Sequence, residues 1–200
     1  LSRLIAVLER ASGTGFVETR DRAILEVLYG AGLRLAELQA LNLSDLDLEG
    51  GTVRITSPSG DQRTVPLGPH AVAALRRYLR RRAESLLDRE VADLEAGVLF
   101  VGARGRRLHR RSIQRLVGHH LDEAARAEAG TEAGVVGQES RPGRGPRALR
   151  QAFAAHLLAA GAGADSVRAL LGQEAVPSTG AEAADLQTLR QRYDRAHPRA

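Results

Sequence analysis

The sequence predicts an α+β fold that is mainly α, a helical bundle carrying a small three-stranded antiparallel sheet. Two changes of period and one composition argue for it. Apolar residues recur at helical spacing before Gly30 and again from Pro69 onward, while between Leu46 and Pro66 the spacing shortens to that of strands. With 200 residues, 43% of them apolar, the chain suits one domain with a core of its own.

Taken in order, Leu1 to Arg10 and Thr19 to Leu28 place apolar residues on one helical face. Gly30 and Gly32 break that pattern before a short helix from Arg34 to Ala40. Leu46 with Leu48, then Thr52 to Thr56, then Gln62 to Pro66 read as the three strands. Glu49-Gly50-Gly51 and Ser57-Pro58-Ser59-Gly60-Asp61 supply the turns, with proline in its favoured slot and glycine where positive φ is cheap. A helix over Pro69 to Leu87 carries Arg76, Arg77, Arg80, Arg81 and Arg82, expected on its solvated side. An extended Val98-Leu99-Phe100 and a helix from Arg111 to Ala129 come next. Gly130 to Gly145, almost without apolar residues, is expected to be a flexible surface loop. Three helices close the chain, at Pro146 to Ala160, Ala164 to Leu171 and Ala184 to Ala196, the last two separated by polar Gln173 to Gly180.

Charge points to a polyanionic partner. All 29 basic residues are arginine, and the formal charge is +5 with a pI near 10.7. Arginine's planar fork bonds phosphate bidentately, although a GC-rich genome alone also favours it over lysine. The absence of cysteine excludes a disulfide framework or thiolate zinc site, and no apolar run is long enough for a signal peptide or membrane span. A soluble, cytoplasmic protein without membrane contact is the expectation. Because the chain begins at Leu1 rather than Met, an upstream domain is expected to be missing from it.

Two phrases far apart in sequence carry the chemistry: GAGLRLAELQALNLSDLDL around Arg34 and GPRALRQAFAAHLLAAGA around Arg150. Together with RTVPLG, VLF, VRALLG and the terminal HPRA, in that order, they make the chain resemble the catalytic domain of Xer-type tyrosine recombinases, a phage integrase family. The resemblance implies a mostly helical domain with a small sheet that follows a separate DNA-clamping domain and wraps half of a duplex recombination site. In that chemistry a tyrosine hydroxyl attacks a phosphodiester, two arginines hold the phosphate, and a lysine and two further pocket residues move protons or donate hydrogen bonds. Neither a metal nor a cofactor is implied.

Carried over position by position, Arg34 and Arg150 match the two arginines, with Glu37 available to orient the Arg34 guanidinium. The hairpin position of the lysine falls on Pro58, which has no charge and no backbone donor. Arg147 replaces the first histidine and stays protonated; it retains the capacity to bind phosphate. Gln173 replaces the second and can donate a hydrogen bond but cannot exchange a proton. The nucleophile position falls on Ala181 or Glu182. Of the three tyrosines, Tyr29 and Tyr78 lie within helices, and Tyr193, about a dozen residues past the expected position, is the one conceivable substitute.

Two other constellations stand out. His119 and Glu123 share a helical face at the spacing of a metal pair, beside His120, but two ligands do not make a site. Arg104, Arg106, Arg107, Arg110 and Arg111, with Arg115, Arg141, Arg144 and Arg147, are dense enough to form a surface for DNA-backbone contact. Gly143-Arg144-Gly145-Pro146 makes only a weak nucleotide loop, since Pro146 lacks an amide and no strand precedes it.

The leading expectation is a catalytically degenerate domain that binds DNA, an active recombinase protomer, or both, without strand cleavage. Self-association through the C-terminal helix belongs to the same reading. The alternatives are an active recombinase using Tyr193 or a residue supplied in trans, and a protein-interaction scaffold that has lost DNA binding.

Overall fold

The structure, a computed structural model, describes residues 8–9, 13–57, 60–87, 95, 97–128, 145–173 and 186–199. Pro58, Ala181, Glu182, most of the expected helix over 1–10 and the 130–144 part of the expected loop lie outside these residues. Helices α1 (Phe16–Gly30) and α2 (Leu35–Ala40) lead through a 3₁₀ turn (Leu43–Asp45) into strands β1 (Leu46–Asp47), β2 (Thr52–Thr56) and β3 (Gln62–Pro66). Helices α3 (Pro69–Leu87), α4 (Arg110–Glu128), α5 (Pro146–Ala159), α6 (Ala164–Leu171) and α7 (Leu186–Ala196) complete the described elements. The fold is therefore the mainly helical one with a small sheet.

The sheet is antiparallel in the order β1-β2-β3, with Val53 opposite Val65 and Ile55 opposite Arg63. Side chains alternate along a strand, so Val53 and Ile55 are buried while Arg54 between them is exposed. The same parity places Arg63 on the apolar face with Val65. A guanidinium at this position, where a methyl group would need nothing, requires a charged or carbonyl partner inside the fold.

Helix α1 packs along α3 and also meets α5. Its Ile24, Leu25, Val27 and Leu28 are fully buried, each contributing roughly 1.5–3 kcal/mol of burial. Along α3 the buried stripe runs Ala71, Leu75, Tyr78 and Arg82. Arg82, expected on the solvated side, is instead 8% exposed, because it shares the helical phase of Leu75 and Tyr78. Its Nη2 donates to the Val98 carbonyl at 3.1 Å, while the Tyr78 hydroxyl donates to the Leu99 carbonyl at 3.0 Å and accepts from the Val101 amide at 3.2 Å. These bonds pin the segment Val98-Leu99-Phe100, expected to be extended, which is flanked by single bridges, Val98 to Asn42 and, just beyond it, Val101 to Arg107.

Between α1 and α2 the chain turns at Gly32, whose φ of +59° is left-handed, the region glycine enters without a Cβ penalty. The turn is also a seat: a Cβ at Gly32 would lie 2.5 Å from Phe153 Cδ1. Bare backbone here lets the buried Phe153 ring draw α5 onto the loop that carries Arg34. No helix among the described residues is long and apolar enough to cross a membrane.

Candidate functional site

The side chain of Glu37, on the first turn of α2, is fully buried, and three arginines from three parts of the chain converge on it. Arg63 from β3 makes the bidentate pair, Nη1 to Oε1 at 2.9 Å and Nη2 to Oε2 at 3.0 Å. The backbone amide of Arg34 donates to Oε2 at 2.7 Å, which closes the N-terminus of α2. Arg34 Nη1 stands 4.0 Å and Arg150 Nη1 3.9 Å from the carboxylate, close enough for Coulomb attraction but outside hydrogen-bond range. Burial alone would push the Glu37 carboxyl up. The Arg63 hydrogen bonds, the Arg34 amide and the charges of Arg63 and Arg150 outweigh it, holding the group below its ordinary value and ionised.

The arginines are held differently. Arg150 is 13% exposed and is braced by two carbonyls, Nη1 to Gly32 at 2.7 Å and Nη2 to Leu171 at 2.8 Å. Its burial pulls its pKa down to about 10; Glu37 opposes the fall, and the positive charges of Arg34 and Arg63 add to it. At neutral pH it is still a cation. Arg63 is braced by the Leu170 carbonyl at 3.2 Å. Arg34, with 47% of its side chain exposed, makes only a long contact of 3.5 Å to the Gly172 carbonyl.

The end of α6 therefore serves all three guanidiniums through the carbonyls of Leu170, Leu171 and Gly172. Gly172 terminates that helix with φ +58°, and a Cβ there would lie 2.7 Å from Arg63 Nη1. Three cations around one carboxylate leave a local excess of two positive charges, presented to solvent mainly through Arg34. Such a cluster can hold a phosphodiester by charge-assisted hydrogen bonds.

Around it, Gln173 is exposed just beyond Gly172, and Arg147 is exposed on the first turn of α5, one turn before Arg150. Arg104, Arg106, Arg110 and Arg111 are exposed between Val101 and the start of α4. Arg107 is occupied otherwise: its guanidinium donates to the carbonyls of Gln39 and Leu41 and, at 2.7 Å, to Asn42 Oδ1, bracing the end of α2.

Tyr193 is 1% exposed and stacked on His197, with ring centroids 4.7 Å apart, and its hydroxyl lies against Gly30 and Gly68. Burial drives its pKa far above the ordinary tyrosine value. Tyr29 is likewise buried and shares a hydrogen bond of 2.8 Å with His156 Nδ1; burial raises its pKa to about 12. The terminal helix thus docks on its own domain. His119 and His120 both lean on Glu123, at 3.5 and 3.6 Å, and no group of three or more histidine, cysteine, aspartate or glutamate side chains suited to a metal occurs among the described residues.

The structure brings Arg34, Glu37 and Arg150 together, with Gln173 at the margin, and adds Arg63, which in the sequence serves only as a landmark within RTVPLG. A signal was available: Arg63 has the strand parity of Val65, so its side chain pointed inward and required a charged or carbonyl partner inside the fold.

A model of the phage integrase family matches residues 1–184. The tyrosine recombinase XerC of Pelobacter propionicus is 36% identical over 182 residues, taking in 90% of this chain and 53% of its own length. XerC of Myxococcus xanthus is 37% identical over 201 aligned positions, with 100% of this chain and 62% of its own length aligned. The chain accordingly spans about half to three-fifths of the length of these curated relatives. The crystal structure of XerA recombinase superposes with a TM-score of 0.66 at 26% identity, over 100% of this chain and 62% of its own. The XerH recombinase bound to palindromic difH substrate, a post-cleavage complex, shares the fold with a TM-score of 0.67 at 21% identity, over 96% of this chain and 46% of its own.

Proposed function

From the premise that the chain belongs to the phage integrase family, we propose that it is an Xer-like recombinase domain that grips duplex DNA, an active recombinase protomer, or both, without cutting a strand. The observation that carries the reading is the arginine cluster on Glu37, with its excess of positive charge and its exposed Arg34. The solved XerH relative is bound to its difH DNA, which makes duplex DNA the first ligand to test. Exposed Arg104, Arg106, Arg110, Arg111 and Arg147 add cations suited to backbone phosphates, which supply affinity without reading sequence.

What speaks against cleavage is the set of side chains at the remaining family positions: Pro58, Arg147, Gln173 and Ala181 or Glu182. None can serve as the attacking tyrosine, and none can exchange a proton in the roles of the lysine and histidines at physiological pH. Residues acting as one catalytic unit are not additive, and losing a nucleophile alone costs on the order of 10⁶ in turnover in a well-studied hydrolase. Tyr193, enclosed in the core, is poorly disposed to replace it.

A nicked suicide duplex tests both halves. Native gels should show retarded DNA that is released as salt rises, and denaturing gels should show no protein–DNA adduct. A covalent adduct would overturn the non-cutting reading, and its loss in Tyr193→Phe would assign the nucleophile. Absence of any salt-dependent retention would leave the scaffold reading in its place.

A further inference from the structure

We infer that Arg63 is a positioning residue of the phosphate clamp: by saturating the buried Glu37 carboxylate it leaves the guanidiniums of Arg34 and Arg150 available to an anion. This role rests on the proposed phosphate clamp and deepens it. Glu37 is an ionised, fully buried carboxylate whose two oxygens already accept three hydrogen bonds, two from Arg63 and one from the Arg34 amide. A buried carboxylate must keep its acceptors filled. The nearest alternative donors are the guanidiniums of Arg34 and Arg150, waiting at 4.0 and 3.9 Å.

Without the Arg63 fork, the carboxylate would capture one or both of them by an inward shift of about 1 Å, from the present separations to charge-assisted bond length. Arg34 is the one with freedom to move, since it is half-exposed and otherwise makes only a 3.5 Å contact to Gly172. A captured Arg34 points at Glu37 and no longer at phosphate. Arg63 has a second attachment, its Nε bond to Leu170, which ties β3 to the end of α6. Through it the half of the clamp built from residues 34–63 is held against the half built from residues 150–173.

The test is a double-mutant cycle of Arg63→Met and Glu37→Gln in the full chain, measured with a short fluorescein-labelled duplex of mixed sequence over a range of salt concentrations and by thermal melting. Arg63→Met should weaken binding about tenfold and lower the salt slope by about 0.9 for each phosphate that is no longer neutralised. Adding Glu37→Gln removes the competing charge, so the double variant should regain the native salt slope. A purely structural role predicts otherwise: the double variant, lacking the whole pair, would bind no better than Arg63→Met. That result, or a native slope in Arg63→Met, would overturn the assignment while the clamp itself stands. Failure of the unaltered chain to bind the duplex would overturn the clamp, and the assignment with it.

Discussion

Replacing Gly32 with alanine should strike the fold and the site together. The residue sits at φ +59°, where a Cβ costs about 1–2 kcal/mol. The added methyl would meet three atoms of one ring, Phe153 Cδ1 at 2.5 Å, Cε1 at 2.8 Å and Cγ at 3.0 Å. A fully buried ring cannot rotate away freely, and overpacking of this kind costs about 1–3 kcal/mol. The sum is about 2–5 kcal/mol. For a chain of this size each kcal/mol moves the melting temperature by about 2–4 °C, so Gly32→Ala should melt about 4–20 °C lower in scanning calorimetry. Arg150 lies one turn before Phe153 and donates to the Gly32 carbonyl at 2.7 Å, so DNA affinity should fall with stability. Phe153→Leu shortens the offending side chain. In combination with Gly32→Ala it should cost at least about 1 kcal/mol less than the sum of the two single variants. Strict additivity, or a melting temperature within about a degree of the native one for Gly32→Ala, would show that the ring is not seated on this glycine.

Other perturbations have equally definite outcomes. Arg199→Met removes a bidentate pair to Glu26, with Nη2 at 2.6 Å and Nε at 3.0 Å, and leaves a nearly inaccessible carboxylate facing Arg22 Nη2 at 3.9 Å; it should cost up to about 3–5 kcal/mol in denaturant unfolding. Burial among Tyr29, Phe153 and Tyr193, with His156 and Arg199 nearby, holds His197 neutral and lowers its pKa to about 4, so its contribution to stability is complete above the unfolded value near 6.5 and is lost as pH falls toward 4. Unfolding titrations should therefore show roughly 2 kcal/mol less stability at pH 5 than at pH 7, a difference that shrinks in His197→Asn. Tyr193→Phe should change stability by no more than about 1 kcal/mol and leave salt-dependent DNA retention intact. Arg34→Gln should weaken DNA retention while shifting the melting temperature by less than about 2 °C, as expected for a half-exposed side chain.

Much of the fold is legible in the sequence because each element obeys one dominant rule. The stripe Ala71, Leu75, Tyr78 is long and regular, so the helix at Pro69–Leu87 is found at its expected bounds, as are the strands at Thr52–Thr56 and Gln62–Pro66 between their glycine-rich turns. The exceptions are arginines whose environment is set by phase rather than by type. Arg82 reads with its charged neighbours although it lies seven residues past Leu75, on the buried face. Arg63 is hidden in the same way by strand parity, and Arg107 by carbonyls that only the folded chain brings to it. Hydrophobicity alone assigns a guanidinium to solvent; the tertiary structure offsets its burial with carbonyls and one carboxylate.

Arg34 and Arg150 match the same family pair, yet they bear different weight as evidence. Arg150 braces two carbonyls and faces Glu37, so its presence follows from the architecture whether or not DNA is ever bound. Glu37 and Arg63 are tied to the architecture as well, through their bidentate pair and the Arg63 bond to the Leu170 carbonyl. A fold that had lost strand transfer would keep these three for stability alone. Arg34 differs. Its backbone amide, which any residue but proline could supply, makes the bond that closes α2, while its side chain is half-exposed and makes no short contact. Nothing in the packing demands a guanidinium at that position. The proposed anion ligand would supply that demand, in keeping with the excess positive charge around it, and this makes Arg34 rather than Arg150 the residue whose replacement tests the proposal.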